Sequence, residues 1–146
     1  MSHVKLVLLL SLLFMAGCAG PMGMHSSSTP PADLDYSATR TGDNGVFRAT
    51  YTSDAAPVPI NELHAWTLHL ETADGAPVEN AAITVSGDMP EHGHGMPTSP
   101  QVTAELGGGD YRVEGMQFQM GGWWTMIFDI EAGGQTDRVT FNLQLK

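Results

Sequence analysis

The feature that most limits the fold of this chain is a period of two. Phe47, Ala49 and Tyr51 alternate with Arg48 and Thr50. His64, Trp66, Leu68 and Leu70 alternate with Ala65, Thr67 and His69, and Ile83 and Val85 alternate with Thr84 and Ser86. The same rhythm returns at Tyr111 and Val113, at Trp124, Met126, Phe128 and Ile130, and at Val139, Phe141, Leu143 and Leu145. Successive side chains of a strand point to opposite faces, so this rhythm gives a strand one apolar face, whereas a helix would scatter the same residues around its axis. Residues 102–106 form a shorter, weaker run. Asp74-Gly75, Gly107-Gly108-Gly109 and Gly133-Gly134 lie between the runs, where tight turns need residues that tolerate positive φ. No segment carries a convincing helical period. Frequent turns between about seven short strands predict an all-β fold, an immunoglobulin-like antiparallel β-sandwich.

The N-terminus follows other rules. Lys5 precedes an apolar run from Leu6 to Ala16, broken only by Ser11. A membrane-spanning helix needs about 20 apolar residues. The core of an export signal needs only about 7–15, with a basic flank before it and small residues at its end. Met15-Ala16-Gly17-Cys18 resembles the lipobox of bacterial lipoproteins, although Leu is usual where Met15 stands. The expectation is a signal peptide over residues 1–17, a lipidated Cys18 opening a flexible tether over 18–45, and a domain over 46–146. Cys18 is the sole cysteine, so no disulfide forms within the chain. Ordinary secretion would leave it as a free thiol in an oxidising compartment, a liability that lipidation removes. Ala19 stands where Asp commonly retains such lipoproteins at the inner membrane. The position therefore points to the periplasmic side of the outer membrane in a Gram-negative cell.

The formal net charge of −10 argues against nucleic-acid partners and against adhesion to anionic lipid, leaving the lipid anchor as the membrane contact. An enzyme is not expected. The domain has no cysteine nucleophile, no Ser/His/Asp arrangement and no closely paired acids at a predicted cleft.

Three segments stand outside the core alternation: residues 61–64, ending in His64; residues 89–97, with Met89, His92, His94 and Met96; and residues 116–120, with Met116 and Met120. If consecutive strands run antiparallel with short connections, all three meet at one pole of the sandwich. Thioethers are soft ligands that favour Cu(I), and imidazole binds copper and zinc alike. With no thiolate in the domain and many thioethers, the set favours copper over zinc. Gly93 and Gly95 relax the backbone around the two histidines. Competing readings stand beside this one. His92 and His94 also fit a solvated polar loop, and His64 also fits a core-edge histidine bonded to backbone. Met116, Phe118, Met120 and Trp123 also fit an apolar plug or a docking surface for a protein partner, since Met-rich surfaces adapt to what they bind. On the same turn-counting, the strand at residues 46–52 starts at the opposite pole, so the tether is expected to join the domain at the end away from the His/Met pole.

Asn61-x-x-His64-x-Trp66, the Met89–Pro97 run and Gly109-x-Tyr111-x-Val113-x-Gly115-Met116-x-Phe118-x-Met120 together resemble the YtkA-like domain, which has FixH-like relatives. The resemblance spans roughly residues 57–146. It implies a periplasmic or cell-surface β-sandwich concerned with copper handling, and the FixH-like relatives are linked to assembly of haem–copper oxidases. A copper-donating or copper-accepting envelope protein would then be the partner. At matching positions the resemblance adds weight to His92, His94, Met96, Met116 and Met120.

Overall fold

The computed structural model describes residues 30–146. The expected signal peptide, Cys18 and the first part of the expected tether lie outside the described residues. The described chain is all-β and antiparallel: β1 (Thr39–Thr41), β2 (Phe47–Ser53), β3 (His64–Thr72), β4 (Ala82–Met89), β5 (His94–Gly95), β6 (Gln101–Gly107), β7 (Asp110–Met116), β8 (Gly122–Ala132) and β9 (Gln135–Leu145). The pairing order is β1-β2-β3-β7-β6-β4-β8-β9, with β5 paired to β4.

This path is pinched at one place. Between β4 and β6 a single pair, Thr84–Gln101, joins the strands. It divides the sheet into β1-β2-β3-β7-β6 and β5-β4-β8-β9, whose inner faces enclose the core. At the other edge the turn after β1 reaches the start of β9, where Asp43 N–H donates to the Arg138 carbonyl at 2.9 Å. The arrangement is therefore one antiparallel sheet curled almost into a barrel.

The alternation places the side chains as the period implies. Leu68 and Leu70 of β3, Tyr111 and Val113 of β7, Trp124, Met126, Phe128 and Ile130 of β8, and Val139 and Phe141 of β9 are buried. Two departures are informative. In β3, Ala65 and Trp66 are both buried, because the register slips between His64 and Trp66 and turns His64 out of step with the strand. β6 is exposed along most of its length and slips register twice against β7. Bulges of this kind blunt an edge that has little pairing on its other side.

β1 falls within the segment expected to be a tether. It pairs with β2 at Thr39–Thr50, Arg40–Ala49 and Thr41–Arg48. This extra antiparallel strand overturns the expected direction of entry. β1 runs opposite to β2, so the chain reaches it from the end where β2 finishes. Tyr36 accordingly lines a groove with Pro57, Val58, Leu145 and Lys146, and the Asp35 carbonyl accepts from Asn142 Nδ2 at 3.1 Å. That is the end that carries His64. Turn-counting that began at residue 46 missed one strand and reversed the parity.

Asp137 locks the opposite end. Its residue is 4 % exposed, and its carboxylate accepts from the backbone N–H groups of Asn44 (2.8 Å), Val46 (2.8 Å), Phe47 (3.1 Å) and Arg138 (2.9 Å). Burial pushes its pKa up, but the four N–H donors outweigh burial and hold it below the ordinary aspartate value. A Cβ on Gly42 would collide with this carboxyl group, so the turn needs glycine there. Tyr111 ties the halves in a similar way. Its hydroxyl donates to the Val78 carbonyl at 2.8 Å and accepts from Ala81 N–H at 3.1 Å, fixing β7 to the approach of β4.

Asp137→Ala strands buried backbone donors and should lower the unfolding free energy by about 3 kcal/mol in urea titrations. Because the folded pKa is depressed, this contribution is present above the unfolded aspartate value of about 4 and is lost as pH falls through the folded value. The gap in stability between wild type and variant should therefore narrow progressively below about pH 4.

Candidate metal-binding pole

The three unusual segments meet at one end, as the turn-counting predicts. Asn61 N–H donates to the Phe118 carbonyl at 2.7 Å, and Ile60 bridges Phe118 in parallel fashion. His64 sits opposite Met116 in the β3–β7 register, and His94 sits opposite Met89 in the β4–β5 register. Each half of the sheet thus brings a register pair of histidine and methionine to the pole. These are pairs of backbone register, and the slip beside His64 turns its side chain out of step with the strand.

Aromatic rings stand between the pairs. Phe118 is fully buried, with its ring centroid 5.8 Å from that of His64, 5.2 Å from that of Trp124 and 6.3 Å from that of Trp66. The His94 ring approaches Trp124 edge-on at 6.0 Å. Trp124 is held by its own hydrogen bond, Nε1–H to the Met120 carbonyl at 3.1 Å.

His64 is oriented in a specific way. Its Nδ1 lies 3.1 Å from the Glu62 carbonyl. A carbonyl only accepts, so Nδ1 carries the proton and Nε2 presents a lone pair. That Nε2 is buried and has no hydrogen-bond partner. The arrangement matches a ligating histidine, whose other ring nitrogen donates to a backbone carbonyl and so fixes ring and tautomer.

The remaining candidates occupy different depths. His92 is exposed, with its ring 5.7 Å from that of His94. The turn that carries it closes with the N–H groups of His92 and Gly93 both donating to the Met89 carbonyl at 2.9 Å. Met89 and Met116 are fully buried, while Met96 and Met120 are half-buried. The sulfurs of Met96 and Met126 both lie against Gly87, 2.6 and 2.7 Å from where a Cβ would stand. Gly122, at φ +125°, likewise makes room for the Met89 methyl group. Of the docking surface expected from Met116, Phe118, Met120 and Trp123, the first two are fully buried, Trp123 is 8 % exposed, and Met120 is half-buried.

Three contributors were not singled out by the sequence. Trp124 reads as an ordinary core position, yet its ring separates the two His/Met pairs. Gln119 places Nε2 3.2 Å from His94 Nδ1 and 3.1 Å from the Gly95 carbonyl. Met126 joins Met96 over Gly87, and a glycine inside a strand is the sequence signal for such a close approach. Among the described residues, no three His, Cys, Asp or Glu side chains group as ligands. A site here would therefore rest on imidazole and thioether together. The buried, unpartnered Nε2 of His64, on a residue with Met116 opposite it in register, suits a soft metal ion.

The model of the YtkA-like family matches residues 50–129. The chain belongs to the YtkA-like family. The matched region contains His64, Met89, His92, His94, Met96, Met116 and Met120, and it ends before β9 and Asp137. No curated protein matches the chain. The crystal structure of a DUF4426 family protein of Pseudomonas aeruginosa is similar in fold, with a TM-score of 0.50 and 21 % sequence identity over 69 % of this chain and 91 % of that one.

Phe118 touches both halves of the pole, and nothing else on the 116–120 segment replaces its ring. Phe118→Ala should cost roughly 3–5 kcal/mol of unfolding free energy. Near-ultraviolet circular dichroism should show the loss of its packing on Trp124 and Trp66. A cost below about 1 kcal/mol would mean that the pole does not depend on this ring.

Proposed function

We propose that this YtkA-like domain binds Cu(I) as cargo at its His/Met pole and delivers it in the cell envelope, carried by a chain whose Cys18 bears a lipid anchor. The observation that carries the reading is the Nε2 atom of His64. It is buried, has no hydrogen-bond partner, and belongs to a ring whose Nδ1–H is committed to the Glu62 carbonyl. An acceptor buried without a partner is costly unless something occupies it. Met116 lies opposite in register, and His94 with Met89 forms the second pair on the facing half. Met96 and Met120 are the accessible thioethers, and the exposed His92 is suited to first capture. Soft thioethers select Cu(I) over harder divalent ions, and the absence of thiolates from the domain argues against a structural zinc site.

Delivery would proceed by exchange of these neutral ligands for those of an accepting envelope protein. The role is that of a binding protein rather than an enzyme. An anchor at Cys18 on the periplasmic side of the outer membrane would hold the domain among such partners. Leu63 is 69 % exposed immediately before His64 and offers an apolar contact at the rim for the acceptor.

The test is Cu(I) competition against a chromophoric chelator. The double variant His64→Ala/His94→Ala should lose roughly a hundredfold in affinity, with unfolding curves confirming that it stays folded. Equal binding by the double variant and the wild type would overturn the assignment.

A further inference from the structure

Gly87 stands where β4 would be expected to carry a core side chain. Val85 and Met89, two residues to either side, are buried on the inner face of the strand, so position 87 faces inward with them. Two methionines take the space instead. Met126 stands opposite Gly87 in the β4–β8 register, and the Met96 N–H donates to the Gly87 carbonyl at 3.3 Å. A Cβ on Gly87 would lie 2.6 Å from the Met96 sulfur and 2.7 Å from the Met126 sulfur. A Cβ on Gly95 would lie 3.0 Å from the Gly87 carbonyl, so a second glycine eases the approach of Met96.

The atoms that meet over Gly87 are sulfurs. A hole that only needed filling would take a branched side chain at position 87 itself, without the conformational cost of glycine in a strand. Here two flexible thioethers converge from separate segments, and each presents its sulfur, rather than its terminal methyl group, as the near atom. Their depths differ: Met126 is fully buried, and Met96 is half-buried. A soft cation that meets Met96 at the surface would find the second sulfur beside it, out of water.

We propose that Met96 and Met126 form a thioether pair that binds a soft monovalent cation, with Met96 as the outer ligand and Met126 as the inner one. The pair rests on the copper reading above for the identity of its cargo, but it does not depend on the histidines. Thioethers are neutral and prefer soft ions. A neutral pair also favours a singly charged ion over a divalent one, which would carry twice the charge out of water. His94, two residues before Met96, meets Trp124, two residues before Met126, edge-on. The pair therefore lies beside that histidine, along β8 at the same pole.

The experiment titrates the metal-free full chain, its methionine methyl groups isotopically labelled, with Ag(I), a soft monovalent ion that needs no reductant to stay in one oxidation state. NMR should show the methyl signals of Met96 and Met126 moving together. The same joint movement is expected in His64→Ala/His94→Ala. Met126→Leu keeps an apolar side chain of similar volume but removes the inner sulfur. Its Met96 signal should stay at the metal-free position at the Ag(I) concentration that saturates the wild type, and Met96→Leu should likewise leave Met126 unmoved. A Met126 signal that stays fixed in the wild type, or a Met96 signal that moves equally in Met126→Leu, would overturn the pair. Loss of the joint movement in the double histidine variant would also overturn it, while leaving the histidine-centred copper reading intact. If the joint movement persists there and Cu(I) affinity is the same in that variant as in the wild type, the assignment of His64 fails and the thioether pair stands.

Discussion

Aromatic rings join the two halves of this domain where strand pairing between them is thin. Only Thr84–Gln101 joins the halves along the pairing path at β4 and β6. The rings make up the difference. Tyr51 of β2 meets Phe141 of β9 edge-on at 5.0 Å, and Phe118 meets Trp124 of β8 at 5.2 Å, both across the halves. Within the halves, Tyr51 stacks on Trp66 at 4.2 Å and Phe141 meets Phe128. Such contacts add specific geometry to the burial of large apolar areas. They also explain how a short segment after β7 can set the form of the whole pole: Phe118 is the ring through which one half rests on the other.

The strands were largely legible in the sequence because their period is physical. A half-buried strand needs one apolar face, and β3, β8 and β9 state this over nine to eleven residues. β1 and β5 were not legible. Thr-Arg-Thr offers no apolar face, and β5 is two residues long within a loop of His and Gly. Neither is held by its own burial. β1 is held by the ladder of β2 and by the loop that Asp137 captures, and β5 by Met89 and Asp88 across the turn. A strand of this kind depends on partners distant in sequence, which local periodicity does not record. The sandwich expectation likewise could not anticipate how far the sheet curls, since closure depends on the turn after β1 meeting β9.

The site was legible as a gathering but not as an arrangement. Counting turns brought residues 61–64, 89–97 and 116–120 to one end, and the structure brings them there. What the sequence could not supply was depth and orientation. Met89 and Met116 are as buried as any core residue, while His92 faces solvent. His64 lies against the Glu62 carbonyl and His94 against the Gln119 amide and the Gly95 carbonyl, and nothing in the residue types of a His/Met loop announces these partners.

The short strand β1 has a consequence for geography. It brings the chain into the domain beside Pro57 and Lys146, at the end that gathers the histidines. A lipid on Cys18 would then not hold the pole aloft. It would join the domain on the histidine side, through a link whose covalent length from Cys18 to Tyr36 allows at most about 60 Å.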